Sequence, residues 1–541
     1  MMLFNPKIVQ TMKNYSMKKF GNDVVAGVIV AIIALPLSIA LAIASGVSPE
    51  KGLYTAIIAG FIIALLGGSS VNISGPTAAF ATIVAGIVAT KGLSGLVVAT
   101  VLAGVILIIM GVCHFGSLIK YIPLTITTGF TAGIAVTIVV GQIKDFLGLT
   151  YPVGTQTIET AEKLEAIIAN ITTVNFQTLL VGAVSLAILI IWPKISKKIP
   201  GSLIVVLLGA VAVKFLNLNV NTIGDLYQIT SALPTPSIPQ LTLNSAISLI
   251  PDAFTIAILA GIESLLSCVV SDGMINDKHD SNTELIAQGV GNIFSGIFGG
   301  IPATGAIART AANVKNGGRS PVAAIVHAIV LLLILVILMP LAAFIPMPVI
   351  ASILFMVAYN MSEWRRFAHI CKTASKSDIT VLVATFLMTV IFDLVVAISA
   401  GLILTSFLFL KKMADVASVR SWVISDKKPI PEHCVVYEIS GPMFFAASEK
   451  MLDFEVDKRT KVMILRTANM PMLDSSAISH LEKLYKKCKR YNVTIVVSHI
   501  NEQPLKALKK AGLYEKIGKE NFCEHIDVAI RRAEKIIAQA E

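Results

Sequence analysis

GIESLLSCVVSDGM, residues 261–274, and GIPATGAIART, residues 300–310, decide how this chain is read. Glu263 sits inside an apolar and small-residue run, 253–270, that is long enough to cross a bilayer. Arg309 ends a second apolar stretch that is broken by glycine and proline. An acid and a base at membrane depth are both expensive to place, so they mark function by default. Together they frame a candidate site for an anion and a coupling cation.

Working outward, the 541 residues are 55% hydrophobic and only 14% charged, with a mean hydropathy of +0.79. A soluble chain carries about 25% charged residues, so this is a polytopic membrane protein. Charges are sparse up to about residue 410 and dense beyond it. The expected organisation is a cytoplasmic N-terminal segment (1–23), a transmembrane domain (24–412) and a soluble cytoplasmic domain (413–541) of ordinary single-domain size. The net charge of +11 does not point to nucleic acid, because the bases collect in particular connections. These are Lys7, Lys13, Lys18 and Lys19, residues 194–198, Lys315 and Arg319, residues 365–376, and Lys411 and Lys412. The positive-inside rule places them, and both termini, on the cytoplasmic side of the cell membrane. The six cysteines show neither paired nor metal-ligand spacing and read as free thiols in a reducing compartment. The first twenty residues lack the apolar core of a cleavable signal peptide.

Apolar runs number fourteen, in two sets of seven. The third run of each set is too short to span and follows a glycine pair: NISGPTAAF (72–80) after Gly67-Gly68, and GIPATGAIART around Gly299-Gly300. Corresponding interrupted segments in two halves point to an inverted-repeat transporter with a midplane site. Pro76 and Pro302 suit the starts of half-helices, whose free N–H groups and positive dipole ends would face an anion. The alternative is a pair of ordinary packed kinks.

Glu263 in hydrocarbon either holds a proton or binds a cation, with Ser264 and Ser267 as hydroxyl ligands nearby. Its alternative is a structural carboxylate bonded within the bundle. Arg309, counted about two turns from Ala303, either sets anion preference or marks the cytoplasmic mouth as a topogenic base. HDSNTELIAQGVGN (279–292) reads as a connection entering a helix, with Ser281 as N-cap and Glu284 completing a capping box. His279 and Asp280 are given structural roles, and Asp393 a turn between two spans. Beyond residue 410, β-rich runs at 433–440, 461–467 and 493–500 alternate with amphipathic helical stretches, the pattern of an α/β domain. There PMLDSSA (471–477) opens a helix: Asp474 and Ser475 are plausible N-caps, and the helix start is open to an anion or to phosphorylation at Ser475 or Ser476.

These residues resemble the sulfate permease (SulP) family of anion transporters, relatives of the animal solute-carrier anion exchangers and prestin. LPLSIALAIASGVSPEKGLYTA (35–56) is similar to the family signature in the first two helices, and residues 261–274, 279–292, 303–310 and FDLVVAISAGLI (392–403) to its later landmarks. The C-terminal region resembles a STAS domain. The resemblance implies fourteen segments in two inverted seven-segment repeats, forming uracil-permease-like core and gate domains above an α/β STAS domain. It also implies an elevator-like movement of the core, commonly in a homodimer, with STAS open to a cytosolic protein partner. Thr77, Ala78, Ala79 and Phe80 would line the substrate pocket, Gly305, Ala306 and Ile307 would offer backbone groups, and Arg309 matches the family's basic residue near the anion. Glu263 matches the eighth-segment acid, and glutamate there favours protons over sodium as the coupling ion. Two departures stand out: Leu37 and Ala40 replace the first-helix glutamine of many relatives, and Ala477 replaces a common STAS glycine.

The leading expectation is therefore a non-enzymatic, cofactor-free secondary transporter of a dicarboxylate, sulfate or bicarbonate, coupled to protons through Glu263. Sodium-coupled bicarbonate uptake is the alternative transport reading. A membrane anion sensor or scaffold acting through STAS is the alternative of another class. Backbone N–H groups and one base accept any compact anion, so these residues do not choose the substrate.

Overall fold

The computed structural model describes residues 4–13, 15–117, 123–152, 155, 157, 159–196, 199–237, 243–392, 394–421, 430–449, 454 and 459–540. Asp393, expected at a turn, lies outside these described residues, as do residues 197 and 198 of one basic cluster. The chain divides into two compact units, Met1–Leu402 and Ile403–Glu541.

The first unit opens with α1 (Lys7–Met12), α2 (Met17–Ala44), α3 (Pro49–Leu66), the short strand β1 (Ser74–Gly75) and α4 (Ala78–Val112). α5 (Leu124–Leu147), α6 (Thr160–Ala169), α7 (Phe176–Ile195), α8 (Gly201–Phe215) and α9 (Ile223–Leu226) follow. The second half holds α10 (Leu243–Ile275), α11 (Ser281–Ile297), β2 (Thr304–Gly305), α12 (Ile307–Lys315) and α13 (Pro321–Leu338). It closes with α14 (Met347–Met361), α15 (Trp364–Thr373) and α16 (Lys376–Ile391), and α17 (Leu394–Val416) holds the boundary between the two units. Eight of the described helices are long and apolar enough to cross a membrane. α4 is really two segments, broken where Gly92 takes φ 70°. With that division and the shorter α8, α11, α12, α14 and α16, the segments again form two sets of seven.

These segments form two bundles. α2, α3, α4, α10, α11, α12 and α13 pack on one another, and α5, α7, α8, α14 and α16 make the second group. Close packing inside the first bundle uses small residues, as expected where lipid supplies no hydrophobic drive between helices. A Cβ on Gly104 of α4 would fall 2.5 Å from the Gly289 carbonyl of α11, and a Cβ on Gly289 would fall 2.5 Å from that of Gly104. Backbone cannot yield as a side-chain tip can, so Gly104→Ala is expected to cost about 1–3 kcal/mol through overpacking. A lowered thermal unfolding midpoint in detergent would show this; an unchanged midpoint would count against so close a contact.

The connections are tied down by buried polar groups. Asp23 of α2, fully buried, accepts from the Tyr15 hydroxyl at 2.7 Å and from the Arg319 N–H at 2.8 Å. It also accepts from Ser320, whose own hydroxyl caps α13 through the Val322 N–H. One carboxylate thus fixes the N-terminal segment to the start of α13, where an anion also suits the helix dipole.

The second unit is a five-stranded sheet in the order β3 (Ser418–Ser421), β4 (Cys434–Ser440), β5 (Val462–Asn469), β6 (Thr494–Ser498), β7 (Phe522–Cys523). β3 runs antiparallel to β4, and the other neighbours are parallel. Alternation along the central strands fills both faces. Met463, Leu465, Ile495 and Val497 pack with Leu481, Leu484 and Cys488 of α18 (Ser475–Arg490), whereas Val462, Ile464 and Val496 pack with Ala529, Ile530 and Ala533 of α21 (Ile526–Ala540). α19 (Glu502–Lys510) and α20 (Leu513–Ile517) complete the unit. The two edge strands, four and two residues long, are too short for a periodic signal and escape the sequence reading. All six cysteines are free, and burial pushes the Cys434 thiol up to about 12 and the Cys488 thiol up to about 11, which keeps both unreactive.

Candidate functional site

The two interrupted segments meet. β1 and β2 pair antiparallel, with Ser74 opposite Gly305 and Gly75 opposite Thr304, and the Ala306 N–H donates to the Ile73 carbonyl at 2.8 Å. The helices that leave this crossing start at Ala78, with Thr77 as N-cap, and at Ile307, with Ala306 as N-cap. The first amides of each helix have no intrahelical acceptor and point their dipoles at the crossing. Pro76 and Pro302 therefore do not begin the half-helices as the sequence suggests. Each lies before a helix start, and Pro302 precedes β2, because the residues after it are claimed by the strand pair.

That shift in register moves Arg309. It stands in the first turn of α12 and is only 4% exposed, so it is not a topogenic base at a cytoplasmic mouth. Its Nη2 donates to the Pro76 carbonyl, while Nη1 has no hydrogen-bond partner among the described residues. Gly75 makes room for it: a Cβ there would lie 2.7 Å from Nη1. A guanidinium buried with donors to spare requires an acceptor.

Glu263 accepts from the Thr77 hydroxyl at 2.8 Å. Thr77 makes no capping bond with its own helix, so its hydroxyl ties the eighth-segment acid to the start of α4. Ser264 and Ser267 do not join this pair. Ser264 donates to Glu284 at 3.2 Å, and Ser267 donates to Asn72 Oδ1 at 2.7 Å, with the Thr310 hydroxyl 3.1 Å from its oxygen. Sharing a helix with Glu263 was insufficient, because Asn72, Glu284 and Thr310 compete for both hydroxyls from neighbouring elements. Of the other expected pocket residues, Thr77 is partly exposed and Ile307 is 42% exposed, whereas Ala79 and Phe80 are wholly buried. Phe80 therefore packs inside the bundle and does not line an open surface. Ala78 and Ala306 are buried at the helix starts, and the Ala306 N–H is already committed to Ile73. Gly305 presses on Asn72, since a Cβ there would fall 2.5 Å from Asn72 Nδ2.

The sequence reading missed a second layer. α11 carries Glu284, Gln288, Asn292 and Ser295, all buried, on one face of the helix. Gln288 Nε2 donates to Ser74 Oγ at 2.9 Å. Asn292 brackets Ala303 with two bonds, and Ser295 donates to the Ile301 carbonyl at 2.7 Å. The signal was available as polar residues spaced by four, four and three within an apolar run. Ser281 is not the N-cap: Asp280 caps α11 through the Asn282 and Thr283 amides, which frees Glu284 to turn inward. His327 of α13 is buried as well, with neither ring nitrogen bonded among the described residues.

In the second unit Asp474 is the N-cap of α18, accepting from the Ala477 N–H and the Phe445 N–H, each at 2.9 Å. Ser475 is exposed in the first turn and Ser476 is half-buried. The structure thus gives Asp474 a capping role and leaves Ser475 accessible.

Residues 20–385 match the model of the sulfate permease family. The chain belongs to the sulfate permease family. Residues 427–529 match the STAS domain. The chain is 40% identical over 527 residues to YvdB of Bacillus subtilis, a protein named for sulfate transport, covering 95% of this chain and 98% of that one. It is 28% identical over 544 residues to the bicarbonate transporter BicA of Picosynechococcus, covering 95% of each. Among solved structures, murine Slc26a9, an anion transporter in the inward-facing state, superposes with a TM-score of 0.88 at 19% identity, covering 98% of this chain and 94% of that one. The transmembrane domain of a cyanobacterial BicA superposes with a TM-score of 0.64 at 30% identity, covering 71% and 98%. This family member therefore has the fold of fourteen spans in two inverted repeats with a C-terminal STAS domain, and its family consists of transporters rather than enzymes.

Proposed function

We propose that this protein is a secondary active transporter of a small anion in the cell membrane, with sulfate, bicarbonate and a dicarboxylate as the candidate substrates. The observation that carries the reading is Arg309, buried beside two helix N-termini with Nη1 unpartnered among the described residues. Cation, dipoles and unbonded amides all favour a compact anion. Thr77, Ala78, Gly305 and Ile307 supply the surrounding backbone, Ala306 holds the crossing through its bond to Ile73, and Glu263 is the coupling group. Protons are the proposed coupling ion, since among the described residues Glu263 meets a hydroxyl donor and no second carboxylate in its hydrogen bonds.

Among the described residues, the hydrogen-bonded side chains of the site, Asn72, Thr77, Glu263, Ser267, Glu284 and Arg309, come from the interrupted segment before α4 and from α10, α11 and α12, all within the first bundle. That division supports an elevator-like movement in which the first bundle carries the anion past the second. A homodimer, cytoplasmic termini and a STAS domain that receives a cytosolic partner belong to the same proposal.

The test is a radiolabelled uptake panel of sulfate, bicarbonate and fumarate into proteoliposomes, with a pH gradient and a sodium gradient imposed in turn. Uptake of one anion driven by the pH gradient is the expected result. Uptake driven by sodium and indifferent to pH would favour the second reading, sodium-coupled bicarbonate transport, in which only the bicarbonate has the likeness to BicA behind it. Anion binding without flux would replace transport by a sensor or scaffold role.

A further inference from the structure

We propose that Glu284 is the positioning residue of the anion site, an acceptor-only anchor that fixes the first interrupted segment against the second. It is 1% exposed, and it accepts hydrogen bonds from groups on several elements. Oε2 accepts from the Gly68 N–H at 2.9 Å. Oε1 accepts from Asn72 Nδ2 at 2.8 Å, Ser264 Oγ at 3.2 Å and Gln288 Nε2 at 3.1 Å. These partners come from the turn after α3, the strand approach to β1, and helices α10 and α11. A single carboxylate therefore joins both repeats beneath the crossing.

The direction of the bonds matters more than their number. Because Asn72 turns its amide nitrogen to Glu284, its Oδ1 faces Ser267 at 2.7 Å and Thr310 at 3.0 Å. Thr310 in turn accepts from the Ile73 N–H at 3.0 Å, and it is the residue after Arg309 in α12. The chain of polarity thus runs from Glu284 through Asn72 to the helix that holds the guanidinium, and buried networks of this kind act as a unit. A neutral amide can replace the carboxylate only if its neighbours turn over. The Gly68 N–H cannot flip, so the nitrogen of a glutamine must take the other position, where it meets the amide nitrogens of Asn72 and Gln288. Asn72 then has to turn over, and its bonds to Ser267 and Thr310 reverse.

The experiment uses full-length protein in three forms: Glu284→Gln, Asn72→Asp, and the two combined. The first sets donors against donors, and the second sets two carboxylates face to face. The combination moves the negative charge by one link and restores a donor–acceptor match between the two residues, while Gln288, whose Oε1 has no partner among the described residues, turns over to accept from the glutamine nitrogen. Two readouts are taken, the KM and maximal rate of uptake for whichever panel anion the wild type carries, and hydrogen exchange in peptides spanning 69–80 and 301–312. Each single variant is expected to speed exchange in both peptides and to raise KM by about 10-fold, with the maximal rate within about 3-fold. The double variant is expected to return both within about 3-fold of wild type. Unchanged exchange in either single variant overturns the inference. So does a double variant no better than the worse single one, including the case where none of the three reaches the membrane. Only the uptake readout rests on the proposed transport function. Should the wild type carry no panel anion, that function fails while the exchange readout still decides the role of Glu284.

Discussion

Arg309→Ala is expected to weaken anion binding by about 10- to 100-fold, the loss that accompanies one charge-assisted hydrogen bond. The guanidinium is buried with its Nη1 unpartnered among the described residues, so its interaction with a bound anion is desolvated and barely screened. Equilibrium binding of the labelled anion to purified protein measures the effect, and a melting curve without anion shows whether the fold is kept. Arg309→Lys should fall between wild type and alanine, because it keeps the charge and loses the planar fork. Binding unaltered in the alanine variant would remove Arg309 from the site despite its place between the helix starts.

Glu263→Gln is expected to fold and to bind anion while losing its response to a pH gradient. The glutamine carbonyl still accepts from Thr77, so the link to α4 survives, but the side chain no longer gains and loses a proton. With one proton per cycle, a gradient of one pH unit contributes about 1.4 kcal/mol, equivalent to about 10-fold accumulation of substrate. That accumulation should vanish in the variant, leaving exchange of internal for external anion. Accumulation that still follows pH would return Glu263 to the role of a structural carboxylate and move the coupling proton elsewhere.

Much of the fold was legible because hydrocarbon imposes one strong rule. Every backbone polar group inside it must be paired within the protein, so spans appear as long apolar runs and breaks in them stand out. The two broken segments, the acid at Glu263 and the α/β pattern after residue 410 all follow from that rule and from periodicity. Helix starts were less legible. Pro302 looked like the first residue of a half-helix, yet strand pairing with β1 delays the start to Ile307 and sets Arg309 in the buried first turn, which removes the topogenic one of its two readings. A long-range pairing of two residues on each side leaves no local signature.

The polar residues divide in the same way. A sequence can show that Ser264, Ser267 and Glu263 share a helix, and that Glu284 lies three residues after a serine. It cannot show that Asn72 and Glu284 draw both serines away from Glu263, or that Asp280 takes over the cap and releases Glu284 inward. Composition, apolar run length and the paired breaks by themselves determined a membrane transporter-like chain of two sevenfold halves and a soluble α/β domain. Only the tertiary structure decided which carboxylate meets Thr77, which anchors the crossing, and where the guanidinium comes to rest. The physical reason is that run length and charge cost are local sums along the chain. Hydrogen-bond partners inside a dry interior are instead chosen among groups some 200 residues apart, such as Asn72 and Glu284.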